Sequence, residues 1–127
     1  MGAVSRTILI VDDDPSSRRL MAATLEGVAG YRLREAADGE EAVRAAIDTR
    51  PDIVLLDVNL PGLDGVGACR RLRSDPATAD ATIVMLTANG GRRTERSVRA
   101  AGADVLLTKP FSPLHLLRLV DRIGARG

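Results

Sequence analysis

The feature that most constrains the fold is a short apolar run that ends at a carboxylate. Residues 53–57 read Ile-Val-Leu-Leu-Asp, and Pro51 just before them prevents a helix from continuing into the run. A continuous apolar run of this length predicts a strand that is buried on both faces of a parallel sheet. The turn-rich segment 58–65 follows it. We therefore expect Asp57 to lie where a central strand leaves the sheet.

A second apolar run also ends in carboxylates. Residues 8–11 read Ile-Leu-Ile-Val and are followed directly by Asp12, Asp13 and Asp14. In open α/β sheets, ligands bind in the crevice outside the carboxyl ends of the strands. Two strand ends that bring acids to one crevice would form an acidic site, and this is the central expectation from the sequence.

Strand-like and helix-like segments alternate along the chain. Asp14 followed by Pro15 is typical of a helix start, and Asp38 with Glu41 resembles a capping box. The spacing predicts strands at 8–11, 31–36, 53–57, 82–87 and 104–108, and helices whose apolar stripes include Leu20, Ile47 and Leu114. Five strands alternating with five helices predict the α/β class, with helices on both faces of a parallel sheet. Spacing alone leaves the strand order open.

Length and composition narrow the function classes. A chain of 127 residues fits one domain, expected to span 1–127 with a core at about 7–124. The net charge of +1 and the scarcity of aromatic residues argue against nucleic-acid binding as the main activity.

The one cysteine, Cys69, excludes an internal disulfide and a cysteine-based zinc site, and is predicted to be a core residue. No apolar stretch reaches the ~18–20 residues of a membrane span, so we expect a cytoplasmic protein without a membrane partner.

Five polar side chains are expected at one edge of the predicted sheet: Asp12, Asp13, Asp57, Thr87 and Lys109. Three adjacent carboxylates repel one another unless a cation neutralises them. Oxygen donors without histidine or cysteine suit Mg²⁺ or Mn²⁺. A carboxylate beside such an ion can attack a phosphoryl donor and form an acyl phosphate, with Lys109 and Thr87 contacting the phosphoryl oxygens. The expected site has no obvious base to activate water, which predicts easy phosphorylation and slow hydrolysis.

Each of these motifs also has a purely structural interpretation. The acids after the first strand could be solvated residues at a capped helix start, the threonine could be an ordinary strand residue, and Lys109-Pro110 could be a surface turn. Asp57 is harder to explain in this way, because an acid that ends a fully apolar strand is poorly solvated without a partner. The order and matched positions of the motifs together favour the phosphoryl-transfer site.

Five segments together form an ordered set of motifs: Ile-Leu-Ile-Val-Asp-Asp-Asp-Pro at 8–15, Asp-Gly-Glu-Glu-Ala at 38–42, Leu-Leu-Asp-Val-Asn-Leu-Pro-Gly-Leu-Asp-Gly at 55–65, Met-Leu-Thr-Ala at 85–88 and Lys-Pro-Phe at 109–111. In this order they make the chain, from about Thr7 to Ile123, resemble the receiver domain of bacterial two-component response regulators. The resemblance implies a flavodoxin-like, doubly wound sheet of five parallel strands in the order 2-1-3-4-5, with five helices.

The resemblance also implies roles for the acidic residues. Asp57 would accept a phosphoryl group from the phosphohistidine of a sensor histidine kinase or a phosphotransfer protein. Mg²⁺ (or Mn²⁺) would be bound directly by Asp13, by Asp57 and by the backbone carbonyl of Asn59, and Asp12 would act largely through metal-bound water. The chain would catalyse only its own phosphorylation and slow dephosphorylation.

A switching mechanism is implied by the same resemblance. Thr87 and Lys109 would contact the phosphoryl oxygens, and phosphorylation would draw the threonine loop inward and remodel the fourth helix, fifth strand and fifth helix. The family usually carries an aromatic residue in the fifth strand, and Leu106 is its counterpart here, so the usual aromatic coupling to the threonine is not expected. The arginine-rich helix 92–101 and the last helix would form the docking face for an output partner protein, or a solvated surface without a function.

Other function classes fit the residues less well. A small phosphatase with Asp57 as nucleophile would need a second acid two residues later, where Asn59 stands. A flavin-binding module of the same fold would need a Ser/Thr-rich phosphate loop and aromatic residues around the ring. A phosphorylation-independent scaffold, a degenerate receiver, stays open because of Leu106. No output domain follows Gly127, so we expect either a stand-alone receiver or an excised domain of a larger protein, without direct nucleic-acid binding.

Overall fold

Strands and helices alternate without exception through the part of the chain that the computed structural model describes, residues 6–126 without the side chain of Arg126. The strands are β1 (Arg6–Val11), β2 (Tyr31–Ala36), β3 (Ile53–Asp57), β4 (Thr82–Thr87) and β5 (Val105–Thr108). The helices are α1 (Pro15–Leu25), α2 (Gly39–Thr49), α3 (Gly65–Ser74), α4 (Arg92–Ala100) and α5 (Pro113–Arg126). All neighbouring strands are parallel, in the order β2-β1-β3-β4-β5. The α/β class and the strand order 2-1-3-4-5 are therefore confirmed.

Strand β3 is the centre of the sheet and is buried along its whole length. Its odd-numbered side chains, such as Ile53 and Leu55, pack with α1 and α5, where Leu116 is almost fully buried. Its even-numbered side chains, such as Val54 and Leu56, pack on the opposite face under α2, α3 and α4. The alternation of a strand explains why a run without polar residues is required here, since each successive side chain enters a different half of the core.

Three aspartates hold the helix starts that follow β1, β2 and β3. Asp14 accepts a hydrogen bond from the backbone N–H of Ser16, Asp38 from that of Glu41, and Asp64 from that of Gly67. The Glu41 carboxylate in turn accepts from the backbone N–H of Ala37, at 2.7 Å, rather than from the cap residue itself. The predicted capping pair is therefore present, with its return bond shifted by one residue.

Three residues of the predicted apolar stripes are exposed instead of buried. Leu20 is 62% exposed, Ile47 is 43% exposed and Leu114 is 55% exposed. Met21 and Ala46, which stand next to Leu20 and Ile47, are buried, and Leu116 is buried two positions after Leu114. Apolar spacing locates a helix but leaves its rotation about its axis uncertain.

Cys69 is fully buried in the core under α3 and α4, as predicted. Its thiol donates to the backbone carbonyl of Ala101 at 3.4 Å. Burial raises the pKa of this thiol, so that the neutral form is favoured.

Within residues 6–126, no helix has both the length and the apolar character needed to cross a bilayer.

Arg73, near the end of α3, binds two separate loop segments, 79–81 and 102–104, through its guanidinium group. It donates to the carbonyl oxygen of Gly102 at 2.8 Å, to the carbonyl oxygens of Ala79 and Ala81, and to the carboxylate of Asp104 at 2.7 Å. Asp104 also accepts from the backbone N–H of Ile83 at 2.8 Å. One arginine thereby joins the entries of β4 and β5 to the end of α3.

We predict that Gly65→Ala destabilises the fold near the end of β3. A Cβ atom at Gly65 would overlap the carbonyl oxygen of Asp57 and come within 2.8 Å of Val58 Cα, both of which are backbone atoms that cannot rotate away. The expected loss is about 1–3 kcal/mol of unfolding free energy, measured by urea denaturation. Gly27→Ala is the control, because nothing lies within 4 Å of the added Cβ. Equal stability of the two variants would contradict the prediction.

We also predict that Arg73→Ala lowers the free energy of unfolding by about 2 kcal/mol, because it removes charged hydrogen bonds to several carbonyl groups at once. The measurement is again urea denaturation. Arg70→Ala serves as the control, since Arg70 is an exposed arginine of the same helix and its loss should change stability by less than about 0.5 kcal/mol. A similar loss in both variants would mean that the Arg73 contacts contribute little.

Candidate functional site

The carboxyl ends of β1 and β3 bring three carboxylates together. One oxygen from each of Asp12, Asp13 and Asp57 lies within 4.8 Å of the corresponding oxygens of the other two. Asp12 and Asp57 are 1% and 6% exposed, whereas Asp13 is exposed to solvent. The parallel pairing of the two strands, with Val11 opposite Leu56, explains why their ends coincide. The predicted acidic crevice is therefore present.

Lys109 lies directly after β5 and spans two of these acids. Its Nζ atom is 3.0 Å from Oδ2 of Asp12 and 3.0 Å from Oδ2 of Asp57. Burial lowers the pKa of this lysine, but the hydrogen bonds and charges of the two aspartates outweigh burial and raise the pKa overall. The backbone N–H of Lys109 donates to the carbonyl oxygen of Thr87, which fixes the lysine relative to β4. The ammonium group is therefore charged and held between β1 and β3.

The carboxylate of Asp57 has a partner for each of its oxygens. Oδ1 accepts from the backbone N–H of Asn59 at 2.9 Å, and Oδ2 accepts from Lys109. Burial is the largest influence and raises the pKa of Asp57, against the lowering effects of the Asn59 N–H and the lysine; the nearby charge of Asp12 raises it further. The acid is thus desolvated but oriented, with its charged form stabilised by two donors.

The turn after β1 separates the roles of its three acids. The side chain of Asp12 accepts from the backbone N–H of Asp14 at 2.9 Å and also binds the lysine. Asp14 is not part of the cluster: it caps α1, and hydrogen bonds from the backbone of Ser16 and the side chain of Ser17 lower its pKa. The crevice therefore receives two acids from this triplet, and the third has the structural role of a cap.

Arg18 is a charged residue at this turn that the sequence reasoning missed. Its Nη1 atom donates to the backbone carbonyl oxygen of Asp12 at 2.7 Å, and its Nε atom donates to Glu35 at 3.1 Å. The only sequence signal is its position in the first turns of a helix that begins at the acidic crevice. That signal does not distinguish Arg18 from the exposed Arg19 beside it.

Thr87 ends β4 and is 1% exposed. Its hydroxyl group accepts from the backbone N–H of Asn89 at 3.1 Å and donates to the carbonyl oxygen of the same residue at 3.2 Å. The threonine is thus at the predicted edge of the sheet, and both of its hydrogen bonds are within its own loop. Leu106 is half-buried and packs against the core under α4, opposite Met85 in the sheet.

The donor set suits a hard divalent cation. The oxygens of the three carboxylates are close enough to share one ion, and no histidine or cysteine belongs to the group. Oxygen-only sites with one or two direct carboxylates are typical of Mg²⁺, and Mn²⁺ has similar preferences. The residues present therefore fit the cofactor that the sequence predicts. Asn59, whose carbonyl is the fourth predicted ligand, lies two residues beyond Asp57 in the loop after β3.

Comparisons with known proteins agree with this fold and site. The family model for the response regulator receiver domain matches residues 8–121. The chain is 44% identical over 123 residues to the phosphate regulon transcriptional regulatory protein PhoB of Pseudomonas aeruginosa, covering 97% of this chain and 53% of that protein. The chain spans about half the length of the first curated relatives that it matches.

Solved structures give the same result. The fold is similar to that of chemotaxis protein CheY4 of Vibrio cholerae, with a TM-score of 0.87, 34% identity and coverage of 94% of this chain and 98% of that one. It is also similar to the receiver domain of the sensor histidine kinase PA1611 of Pseudomonas aeruginosa, solved with a magnesium ion in its active site cleft, with a TM-score of 0.85, 37% identity and coverage of 94% and 98%. The chain therefore belongs to the receiver domain family of two-component response regulators.

Proposed function

We propose that this receiver domain accepts a phosphoryl group on Asp57 in a reaction that depends on Mg²⁺. The donor would be the phosphohistidine of a sensor histidine kinase or of a phosphotransfer protein. The observation that carries the proposal is the position of the Asp57 carboxylate, which lies between two further acids and the ammonium group of Lys109 at the carboxyl edge of the sheet. We also propose that residues 1–127 act as one receiver domain, with its core at about 7–124.

In the proposed step, a carboxylate oxygen of Asp57 attacks the phosphorus atom of the phosphohistidine. The new bond is the O–P bond of an acyl phosphate, the P–N bond breaks, and the departing imidazole keeps the electron pair and takes up a proton. The Asn59 N–H and Lys109 favour the ionised, attacking form of Asp57 against the effect of burial. Once the phosphoryl group arrives, Lys109 can move its ammonium group from the Asp57 carboxylate to a phosphoryl oxygen.

The carboxylates of Asp12, Asp13 and Asp57, with the backbone carbonyl of Asn59, would hold the divalent cation. When bound, Mg²⁺ would neutralise charge on the acids and on the phosphoryl oxygens. Asp57 would then have two tasks, as a ligand and as the nucleophile, whereas Asp13 would serve the cation alone. Its exposure to solvent is consistent with an ion that keeps several water ligands.

Thr87 would stabilise the phosphorylated state by donating its hydroxyl group to a phosphoryl oxygen. To do so it must give up its donation to the Asn89 carbonyl, so phosphorylation and the conformation of the 88–91 loop would be coupled. This loop leads directly into α4. We therefore propose that phosphorylation repositions α4, β5 and α5, with Leu106 responding through packing in place of an aromatic side chain.

An output partner would dock on the α4–β5–α5 face. Helix α4 buries a single side chain, Val98, and exposes four arginines, Arg92, Arg93, Arg96 and Arg99. Of these, Arg99 forms an ion pair with Glu95 on the same helix. A helix that contributes so little to the core can be repositioned at low cost, which supports its assignment to the switching face.

We predict that Asp57→Asn abolishes covalent labelling by acetyl phosphate or phosphoramidate in the presence of Mg²⁺, because an amide cannot form the acyl phosphate. Intact-protein mass spectrometry measures the added phosphoryl group. Asp14→Asn is the matched control: it lies near the crevice but outside the acidic cluster, asparagine can still cap α1, and labelling should persist. Undiminished labelling of Asp57→Asn would refute the acceptor assignment.

The same variant has a second expected property that shows it to be folded. Because burial raises the pKa of Asp57, its ionised form opposes folding above the acid's ordinary pKa, and this cost is absent when the acid is protonated. The metal-free asparagine variant should therefore unfold at a higher temperature than the unmodified chain near pH 7. The difference should shrink as the pH falls towards about 4.

We predict that Mg²⁺ stabilises the chain and that Asp13→Asn removes this effect. A ligand present at 100 times its dissociation constant adds about 2.7 kcal/mol to the free energy of unfolding. Without metal, Asp13→Asn should be as stable as the unmodified chain or more stable, since one member of a repelling group is gone. Thermal unfolding with Mg²⁺ or with EDTA measures both effects. Equal Mg²⁺ stabilisation of the variant would exclude Asp13 as a ligand.

A further inference from the structure

We propose that Arg18 is a positioning residue that orients Asp12 and Asp13 for the divalent cation. This inference rests on the proposed function, because it concerns the same metal site. The guanidinium group of Arg18 connects the end of β1 with the edge strand β2, through the Asp12 carbonyl oxygen and the Glu35 carboxylate. It touches neither the acceptor nor the predicted ligand oxygens, so it acts through the backbone.

The bond from Arg18 acts on the peptide that joins the two predicted ligands. The Asp12 carbonyl belongs to the peptide group between Asp12 and Asp13, and Arg18 Nη1 donates to it at 2.7 Å. A charged hydrogen bond of this length fixes the plane of that peptide. Because this peptide carries the N–Cα bond of Asp13, the hydrogen bond restrains the backbone position from which the Asp13 side chain starts.

Asp13 depends on this backbone constraint more than Asp12 does. The side chain of Asp12 accepts from the backbone N–H of Asp14 and from Lys109, so it is held by direct contacts. Within the described part of the chain, the side chain of Asp13 makes no hydrogen bond and forms no ion pair. The backbone that Arg18 contacts is therefore the restraint on the position of Asp13 that the structure shows.

The Glu35 carboxylate binds Arg18 and so helps to hold its guanidinium group against the Asp12 carbonyl oxygen. Nε of Arg18 is 3.1 Å from Oε1 of Glu35, and the arginine side chain is 20% exposed, against 47% for the glutamate. Two donors of one planar group are thus bound to two acceptors, one directly after β1 and one on β2. Arg18 is also held at its backbone, since its N–H donates to the carbonyl oxygen of Asp14 at 3.0 Å.

The direction of the change in metal affinity distinguishes a positioning role of Arg18 from an effect of its charge. A cation near a metal site repels the metal, so removing it should strengthen Mg²⁺ or Mn²⁺ binding if charge were its main influence. If Arg18 positions the ligands, removing it should weaken binding of the divalent cation, although the loss of a positive charge would by itself strengthen that binding. Loss of a residue that orients metal ligands typically costs 10–100-fold in affinity, and we expect about tenfold here.

The experiment compares Arg18→Gln with Arg19→Gln in the full chain. Both variants lose the same charge on the same helix, but Arg19 is exposed and makes no hydrogen bond to the turn. Mn²⁺ binding is measured from the electron paramagnetic resonance signal of the free ion, and Mg²⁺ binding by competition with Mn²⁺. We expect about tenfold weaker binding for Arg18→Gln and less than twofold change for Arg19→Gln, with circular dichroism verifying that each metal-free variant is folded.

A third variant covers the case in which Arg18→Gln does not fold. Glu35→Gln keeps the Arg18 side chain but weakens its anchor, and it should reduce Mn²⁺ affinity by about two- to threefold. Equal affinities of Arg18→Gln and Arg19→Gln, tighter binding by Arg18→Gln, or an unchanged affinity of Glu35→Gln would overturn the inference. Absence of Mn²⁺ binding by the unmodified chain would overturn the proposed metal site as well, and Asp13→Asn identifies that site independently.

Discussion

The structure of the site depends on the interaction of one ammonium group with a group of acids that would otherwise repel one another. Two carboxylates less than 5 Å apart oppose each other by about 3 kcal/mol or more at an effective dielectric constant of about 20. Lys109 contacts Asp12 and Asp57 at equal distances of 3.0 Å and so offsets part of this repulsion. Three ionised acids and one lysine still leave two negative charges, which is the charge that one divalent cation neutralises. If the proposed function is correct, the same imbalance is the reason why phosphoryl transfer to this site would require a metal.

The parallel sheet supplies this arrangement without any local motif that spans it. Asp12, Asp57 and Lys109 are separated by as many as 97 positions along the chain, yet each lies at or directly after the carboxyl end of a strand. Because β1 and β3 are adjacent and in register, their terminal side chains share one edge. Stability and the proposed function are therefore linked through strand pairing, since any change that shifts the end of β3 also moves Asp57, the proposed acceptor.

The sequence predicts the elements well where one periodicity dominates. The strands at 31–36, 53–57 and 82–87 have the predicted bounds, because alternation or a continuous apolar run defines them and glycine or proline lies nearby. The strand order could not be derived from spacing, because several strand orders with right-handed crossovers have the same spacing. The family resemblance was the source of the predicted order. The rotation of the helices was also open, which is why Leu20 was wrongly expected in the core.

The sequence predicted the acids of the site, but it did not predict the hydrogen bonds that hold the surrounding backbone. An acid after a buried strand has a strong signal, because its burial requires a partner, whereas Arg18 and Arg73 act through backbone carbonyl groups, which carry no side-chain pattern. Some of their partners lie far along the chain: Gly102 and Asp104 are 29 and 31 positions from Arg73, and Glu35 is 17 positions from Arg18. Sequence patterns identify the clustered acidic side chains, but they miss side chains whose contacts are with backbone groups.

The two ends of α4 are held very differently. At its C-terminal end, Arg73 binds the Gly102 carbonyl and the Cys69 thiol binds the Ala101 carbonyl, while Val98 is in the core. At its N-terminal end, Gly91 supplies no side-chain cap, and the exposed 88–91 loop is tied to the site by the Thr87–Asn89 pair of hydrogen bonds. A change at the threonine would therefore be taken up mainly by the first turn of α4. Two exposed arginines, Arg92 and Arg93, begin that turn, so the surface that would change most also carries positive charge.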